Sequence, residues 1–231
     1  MIRVIDVAGI RLDDYSVREL IMILERELAK PGFHTIEEVN TDLLMLAASD
    51  DQVKKALLAM EHTVISEAAV LEAVNAGTYQ RKREVEHHDF FYEIMRVIER
   101  NHKRICLLGV EESRTVAMEE KLCRLFPRCA MVSFALELYE GAADALVNEI
   151  NAATADVILS ILPSPLQEHF FMENREKLSA NLWYGIGLMN PETVRKGLLG
   201  WVDHHIRTYR LERHINRSKQ ESVKNGSGKQ E

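Results

Sequence analysis

The sequence is poor in the residues that hold small secreted or zinc-bound proteins together. Its 231 residues include only three cysteines, Cys106, Cys123 and Cys129, with no Cys-x-x-Cys spacing. This argues against a disulfide framework and a zinc-thiolate site, and Cys106, in an apolar run, is predicted to be a core residue. No apolar run approaches the roughly 20 residues of a membrane-spanning helix, and the N-terminus lacks a signal-peptide layout. These absences predict a cytoplasmic protein.

The charge balance and motif content exclude further classes. A net charge of −7 argues against nucleic acid as a partner, while 46% hydrophobic and 28% charged residues are typical of a globular protein. The chain has no Gly-x-Ser-x-Gly and no Gly-x-Gly-x-x-Gly. An α/β hydrolase or a dinucleotide-dependent reductase is therefore not supported.

Apolar runs alternate with amphipathic segments along most of the chain. The alternation predicts a Rossmann-like α/β fold, with a mostly parallel sheet and helices on both faces. Four serine or glycine positions are predicted to begin helices: Ser16 (a capping box with Glu19), Ser49, Ser113 and Gly141. The predicted strands are Ile2–Val7, Phe33–Val39, His62–Ser66, Arg104–Gly109, Arg128–Phe134, Asp156–Leu162 and Asn181–Gly187.

The predicted domain organisation has three parts. An α/β domain spans 1–190 and could divide into two lobes near 101–103. A basic helical appendage spans 191–217, and a polar, disordered tail spans 218–231. The shortage of aromatic residues and the basic tail leave room for a homo-oligomer.

The stretch from Asp156 to Glu168 is the most informative of the chain. A β-branched, apolar run ends at Pro163, after which Ser164 and Gln167 have the spacing of a capping box, with Pro165 at the first helical position. Backbone N–H groups at such a helix start could also hold a phosphate or a uracil oxygen. Gln167 is thus either a capping residue or a ligand contact.

Several blocks, in order, resemble the WecG/TagA/CpsF family of glycosyltransferases. The resemblance runs from about Val4 to Tyr209. It is carried by Val39–Ala47, His62–Ala68, His87–Phe90, Ile105–Gly109 and Pro163–Glu168.

The resemblance implies a function and a set of site residues. Such enzymes transfer an N-acetylhexosamine, often N-acetylmannosamine, from a UDP-sugar to a lipid-linked saccharide at the cytoplasmic membrane face, in surface polysaccharide or cell-wall polymer synthesis. The implied partners are a UDP-N-acetylhexosamine and a polyprenyl-diphosphate-linked acceptor, with no cofactor beyond the donor. Glu67 falls at the position of the catalytic carboxylate. The implied substrate-binding residues are Asn40, Asp89, Gly109, Gln167, Arg207 and Arg210.

The sequence departs from the family pattern around these residues. Glu67 replaces an aspartate, Ala68 and Val70 replace glycines, Glu38 replaces a threonine and Pro163 replaces a glycine. Glu67 is either the base for the acceptor hydroxyl or a residue that begins a helix and favours its positive end. The alternative function is a catalytically impaired relative that binds nucleotide sugars or regulates.

Three polar positions have two interpretations each. Asn40 either contacts the nucleotide or sugar, or terminates a strand. Asp89 either caps a helix over Phe90–Arg100 or shapes the site. The arginines from Arg207 to Arg217 either form a basic face for an anionic membrane and a diphosphate, or a solvated terminal helix.

Two histidine pairs contain plausible metal ligands, in His87-His88-Asp89 and Asp203-His204-His205. Adjacent residues on a helix point about 100° apart, so neither pair is suited to chelate one ion. We therefore predict no metal site.

Overall fold

The computed structural model describes residues 3–187 and Ile215. The strands are β1 (Arg3–Val7), β2 (Ile10–Asp14), β3 (His34–Val39), β4 (His62–Ile65), β5 (Arg104–Gly109), β6 (Ala130–Ala135), β7 (Val157–Ser160) and β8 (Leu182–Gly185). The α-helices are α1 (Val17–Leu28), α2 (Thr41–Ala47), α3 (Asp51–Ala59), α4 (Ala68–Ala73), α5 (Tyr79–Glu86), α6 (Asp89–Arg100), α7 (Glu112–Leu125), α8 (Ala143–Ala152) and α9 (Leu166–Asn174).

Six strands form one parallel sheet in the order β4-β3-β8-β7-β5-β6. The predicted Rossmann-like α/β fold is confirmed. Because every strand runs in the same direction, the carboxyl ends of β3, β4, β5, β7 and β8 meet at one edge, where open α/β sheets bind ligands. The candidate functional site lies along this carboxyl edge.

The N-terminal strand was expected as part of the alternating pattern, but it belongs to a separate hairpin. β1 pairs antiparallel with β2, with Val7 opposite Ile10. Ala8 and Gly9 join them, both with positive φ (55° and 83°). Two left-handed residues are what a tight hairpin turn requires. The sequence pattern does not reveal β2, because the turn has glycine at its second position only.

Helices cover both faces of the sheet. On one face, Leu107, Leu159 and Tyr184 are buried with side chains of α1 and α6. On the other face, Cys106 and Trp183 are buried with side chains of α8 and α9. Cys106 is thus a core residue as predicted, and burial raises the pKa of its thiol to about 12. The strands β5, β7 and β8 are consequently almost entirely apolar on both sides, as buried parallel strands are.

The predicted helix starts have mixed outcomes. Ser16 and Glu19 form the expected reciprocal capping box at α1, and α8 begins at Ala143, two residues after Gly141. The Ser49 prediction is wrong, because the Asp50 carboxylate caps α3 instead. The Ser113 prediction is also wrong, since α7 already begins at Glu112. The cap of α3 is thus one residue after Ser49, and α7 begins one residue before Ser113.

The segment 101–103 connects α6 to β5, and strands from both sides of it belong to the same sheet. The division into two lobes stays a prediction. Apart from Ile215, the predicted appendage and tail, with Arg207, Arg210 and the second histidine pair, lie outside the described residues. No helix among the described residues combines the length and apolar character needed to cross a bilayer.

Candidate functional site

Asn40 and Glu67 lie beyond the carboxyl ends of the adjacent strands β3 and β4. The Asn40 side chain caps α2 by accepting a hydrogen bond from the Leu43 N–H at 2.8 Å. The Glu67 carboxylate accepts a hydrogen bond from the Thr41 N–H at 2.8 Å. A carboxylate and an amide are therefore held at the start of one helix, at the edge of the sheet.

Glu67 lies between strand β4 and helix α4. Glu67 is the residue before that helix, and its side chain makes no capping bond to α4 itself. It instead reaches the first turn of α2, where the N–H groups favour negative charge. Ala68 and Val70, at positions where the resemblance has glycines, are buried, Val70 fully. Their side chains pack in the core below the edge.

Gln167 does not form the predicted capping box. Pro165, not Ser164, is the residue before α9, and it has no side-chain capping bond. The Ser164 hydroxyl donates to Glu168 at 2.7 Å. Gln167 is 1% exposed, and its side chain points inward. The prediction fails because Ser164 contacts Glu168, four residues later, rather than Gln167, three residues later.

Gln167 instead links two strand ends from inside the molecule. Its amide nitrogen donates to Glu37 on β3, and its amide oxygen accepts from the Gly187 N–H at 3.4 Å, beyond β8. Because β8 lies between β3 and β7 in the sheet, this one side chain spans the middle of the carboxyl edge.

Glu37 and Glu168 are buried carboxyls beside Gln167, both 0% exposed. One oxygen of each has no hydrogen-bond partner among the described residues. Burial raises the pKa of both, and for Glu37 the nearby Glu168 adds to the increase. Two negative charges buried away from water are unfavourable, so this position favours the protonated form of both carboxyls.

Gly185 allows Glu37 to approach β8. An added Cβ on Gly185 would lie 2.1 Å from a Glu37 carboxylate oxygen. Only a residue without a side chain leaves room for the carboxyl at this point of the strand.

Glu38 points to the opposite face of the sheet from Glu37. It is 7% exposed and accepts a hydrogen bond from the Tyr184 hydroxyl. Burial raises the pKa of Glu38 to about 7. Its carboxyl lines a cavity of about 10 Å³ together with Ser66 and His88. A cavity of this size holds at most one water molecule.

Asp89 and Gly109 occupy other positions on the fold. Asp89 is the first residue of α6, and His88, with φ 55°, precedes the helix, so the predicted capping role of Asp89 is wrong. The Asp89 side chain lines an open cavity with Arg83 of α5. At Gly109, the last residue of β5, an added Cβ would lie 2.1 Å from the Thr115 hydroxyl. Gly109 therefore lets α7 pack closely, whichever ligand role it also has.

Among the described residues, one group has the composition of a metal site, and it lies at the opposite edge. It consists of Glu27, Glu61 and His62. His62, at the amino end of β4, contacts Glu27 at 3.0 Å and the Tyr15 hydroxyl at 2.8 Å. These contacts satisfy both imidazole nitrogens. The His87-His88-Asp89 triplet is not part of the group.

The structure therefore brings the predicted residues together unequally. Asn40 and Glu67 meet at the start of α2, while Gln167 reaches the same edge from the interior. The sequence pattern does not identify Glu37, Glu168 and Tyr184 as residues of the site. A signal for the first was available, because two adjacent glutamates inside a strand predicted to be buried, Glu37 and Glu38, cost free energy unless each finds a hydrogen-bond partner.

Comparison with known proteins identifies a family for the chain. A model of the Glycosyl transferase WecG/TagA/CpsF family matches residues 5–189, which is most of the chain. No curated protein matches the sequence.

Proposed function

Because the chain belongs to the WecG/TagA/CpsF family of glycosyltransferases, we propose that it transfers an N-acetylhexosamine, N-acetylmannosamine or a close analogue, from a UDP-sugar to a lipid-linked saccharide. The acceptor is a polyprenyl-diphosphate sugar of surface-polysaccharide or cell-wall polymer synthesis. No cofactor beyond the donor takes part. The observation that carries the proposal is a carboxylate, Glu67, held at the strand-end edge of a family member.

The proposed chemistry uses Glu67 as the base. The acceptor hydroxyl attacks the anomeric carbon of the donor sugar while the bond from that carbon to the UDP oxygen breaks. Glu67 accepts the hydroxyl proton, and UDP leaves with the electron pair of the broken bond. The hydrogen bond from the Thr41 N–H orients the carboxylate, and general-base catalysis of this kind contributes about 10² to 10⁴ in rate.

Asn40 is proposed to contact the donor, and Gln167 to support the donor site from inside the protein through Glu37, with Asp89 and Gly109 shaping the site. The proposal also includes the basic segment 191–217, where Arg207 and Arg210 would meet the acceptor diphosphate at an anionic membrane surface at the cytoplasmic side. Arg is suited to this role because its guanidinium donates two parallel hydrogen bonds to phosphate oxygens.

The first test is the variant Glu67→Gln. Purified protein is titrated with UDP-N-acetylhexosamines by calorimetry, and UDP release is followed with a polyprenyl-diphosphate sugar acceptor. Glutamine keeps an oxygen for the Thr41 N–H but is not basic, so we expect donor binding to persist and UDP release to fall by about 100-fold or more.

The matched control is Glu61→Gln, at the amino edge of the sheet, which should leave UDP release unchanged. A wild-type rate in Glu67→Gln would refute the base assignment. Absence of donor binding at millimolar concentration would refute the transferase proposal.

A second candidate function is a catalytically impaired relative that keeps the nucleotide-sugar site. The feature that favours it is the presence of Ala68 and Val70 in place of glycines beside Glu67, since glycine at such positions allows close approach of a ligand to the backbone. Donor binding without UDP release from wild-type protein, with any sugar acceptor tested, would favour this second function.

A further inference from the structure

The side chain of Glu67 bridges two elements of the carboxyl edge. Its backbone lies at the junction of β4 and α4, while its Oε2 atom accepts a hydrogen bond from the Thr41 N–H, at the start of α2, at 2.8 Å. The two residues are 26 positions apart in the chain. The length of the side chain at position 67 therefore has to match a distance that the tertiary structure sets.

The backbone of Glu67 is held on both sides. The Ser66 N–H donates to the Val39 carbonyl at 3.0 Å, which ties the end of β4 to the end of β3. The Glu67 carbonyl accepts from the Val70 N–H at 3.1 Å as α4 begins, and Val70 is fully buried. The backbone of Glu67 cannot move closer to α2 without breaking these contacts.

The donor end of the bond is fixed as well. Thr41 is the first residue of α2 and is 2% exposed. The Asn40 side chain caps the same turn through the Leu43 N–H at 2.8 Å. Glu67 makes no capping bond to its own helix α4. The start of α2, rather than α4, thus positions the Glu67 carboxylate.

A glutamate spans this distance, and an aspartate is too short for it. Removal of one methylene group retracts the carboxylate by about 1.5 Å. A hydrogen bond of 2.8 Å that is stretched by this amount is lost. In a catalytic site, a displacement of about 1 Å can cost on the order of 100-fold in rate.

We propose that Thr41 is a positioning residue of the reaction, whose backbone N–H fixes the place of the base, and that only a glutamate at position 67 reaches it. The inference rests on the proposed function, because it concerns the base of the transfer. It adds that an aspartate in place of Glu67 is a poor base in this protein, although it is also a carboxylate.

The first test is Glu67→Asp, with UDP release followed for a UDP-N-acetylhexosamine and a polyprenyl-diphosphate sugar acceptor. We expect kcat to fall by about 100-fold. The KM for the donor should stay close to that of wild type, because the change displaces the base and not the donor. A kcat close to wild type would overturn the inference, since the shorter carboxylate would then work without the bond.

The second test is Thr41→Pro, which removes the N–H and keeps the glutamate. Proline is favoured at the first position of a helix, and Asn40, with φ −114° and ψ 177°, has the extended backbone that precedes a proline. We expect kcat to fall by about 10-fold or more at an unchanged donor KM. Thr41→Val keeps the N–H and should recover most of the lost kcat, since the Thr41 hydroxyl has no partner among the described residues.

The double variant tests whether the two residues act as a unit. If the bond sets the place of the base, Glu67→Asp should cost much less in the Thr41→Pro protein than in wild type. Effects on kcat that simply multiply would overturn the inference. The matched control is Asp51→Pro, which places proline at the first position of α3 and should release UDP at the wild-type rate.

The outcomes separate this inference from the proposed function. Absence of UDP release from wild-type protein would overturn the transferase proposal and, with it, the role of Thr41. If wild type releases UDP and either Glu67→Asp or Thr41→Pro does so at the same rate, the positioning role is wrong and the transferase proposal is unaffected.

Discussion

At the scale of single residues, the carboxyl edge depends on a close contact between Glu37 and Gly185. The Glu37 carboxyl occupies the space where any other residue at position 185 would have its Cβ, and it accepts from the Gln167 amide. The position of Gln167 thus depends on a glycine on another strand. Gly109, at the carboxyl end of β5, likewise leaves room for the Thr115 side chain of α7.

We expect Gly185→Ala to destabilise the protein by about 1 to 3 kcal/mol, because the added methyl group overpacks a filled space. The free energy of unfolding is measured by chemical denaturation. Glu37→Ala removes the carboxyl that the methyl group would meet. The double variant should therefore be more stable than the sum of the two single effects predicts, with a coupling of about 0.5 kcal/mol or more. Additive effects would show that the methyl group disturbs something other than Glu37.

At the scale of elements, the start of α2 joins two strand ends. Asn40 caps the helix from β3, and Glu67, beyond β4, accepts from the Thr41 N–H. The two interpretations of Asn40, as a ligand contact and as the end of a strand, are therefore compatible in space. The capping role has a cost that can be measured separately from binding.

Asn40→Ala should lower the free energy of unfolding by about 1 kcal/mol, because the Leu43 N–H loses its partner. Asn40→Ser restores a capping oxygen and should recover most of this stability. Thermal or chemical denaturation of the three proteins checks the capping role, which equal stabilities would contradict. If a UDP-sugar binds Asn40→Ser more weakly than wild type, Asn40 also contacts the ligand.

At the scale of the whole molecule, two adjacent glutamates on a central strand link stability to pH. Burial raises the pKa of Glu38 from an ordinary value of 4.5 to about 7, and raises that of Glu37 as well. Both carboxyls hold protons more tightly in the folded state than in the unfolded chain. Unfolding therefore releases protons, and stability decreases as the pH rises. For Glu38 the decrease runs from about pH 4.5 to just above pH 7.

Glu38→Gln should make this dependence shallower. Between pH 5 and pH 8 the loss of unfolding free energy should be smaller than in wild type by about 2 to 3 kcal/mol. A loss of stability that the glutamine amide causes equally at both pH values leaves this difference in unfolding free energy unchanged. Urea denaturation at the two pH values gives the comparison, with the exposed Glu120→Gln as the control that should match wild type. Equal pH dependence of Glu38→Gln and wild type would mean that Glu38 is ionised in the folded protein.

The sequence predicted the sheet well because buried parallel strands are nearly continuous apolar runs. The bounds of β5 agree at both ends, and β3, β4 and β8 lie within the predicted segments. The hairpin was not predicted, since its turn depends on backbone conformations that Ala8 rarely adopts. The helix starts at Asp50 and Glu112 also differed, because several polar residues nearby could cap each helix equally well.

The candidate site also has features that the sequence predicted and features that it did not. The order of apolar runs and the family motifs determined the fold class, the carboxyl edge and the presence of Asn40 and Glu67 beside it. These follow from local patterns, since a strand that ends in a polar turn places that turn at the edge. The tertiary structure alone decided that Gln167 points inward to Glu37, that the Tyr184 hydroxyl donates to Glu38, and that Gly185 makes room for a carboxyl. Those contacts join residues separated by more than a hundred positions, and only the order of strands in the sheet brings them together.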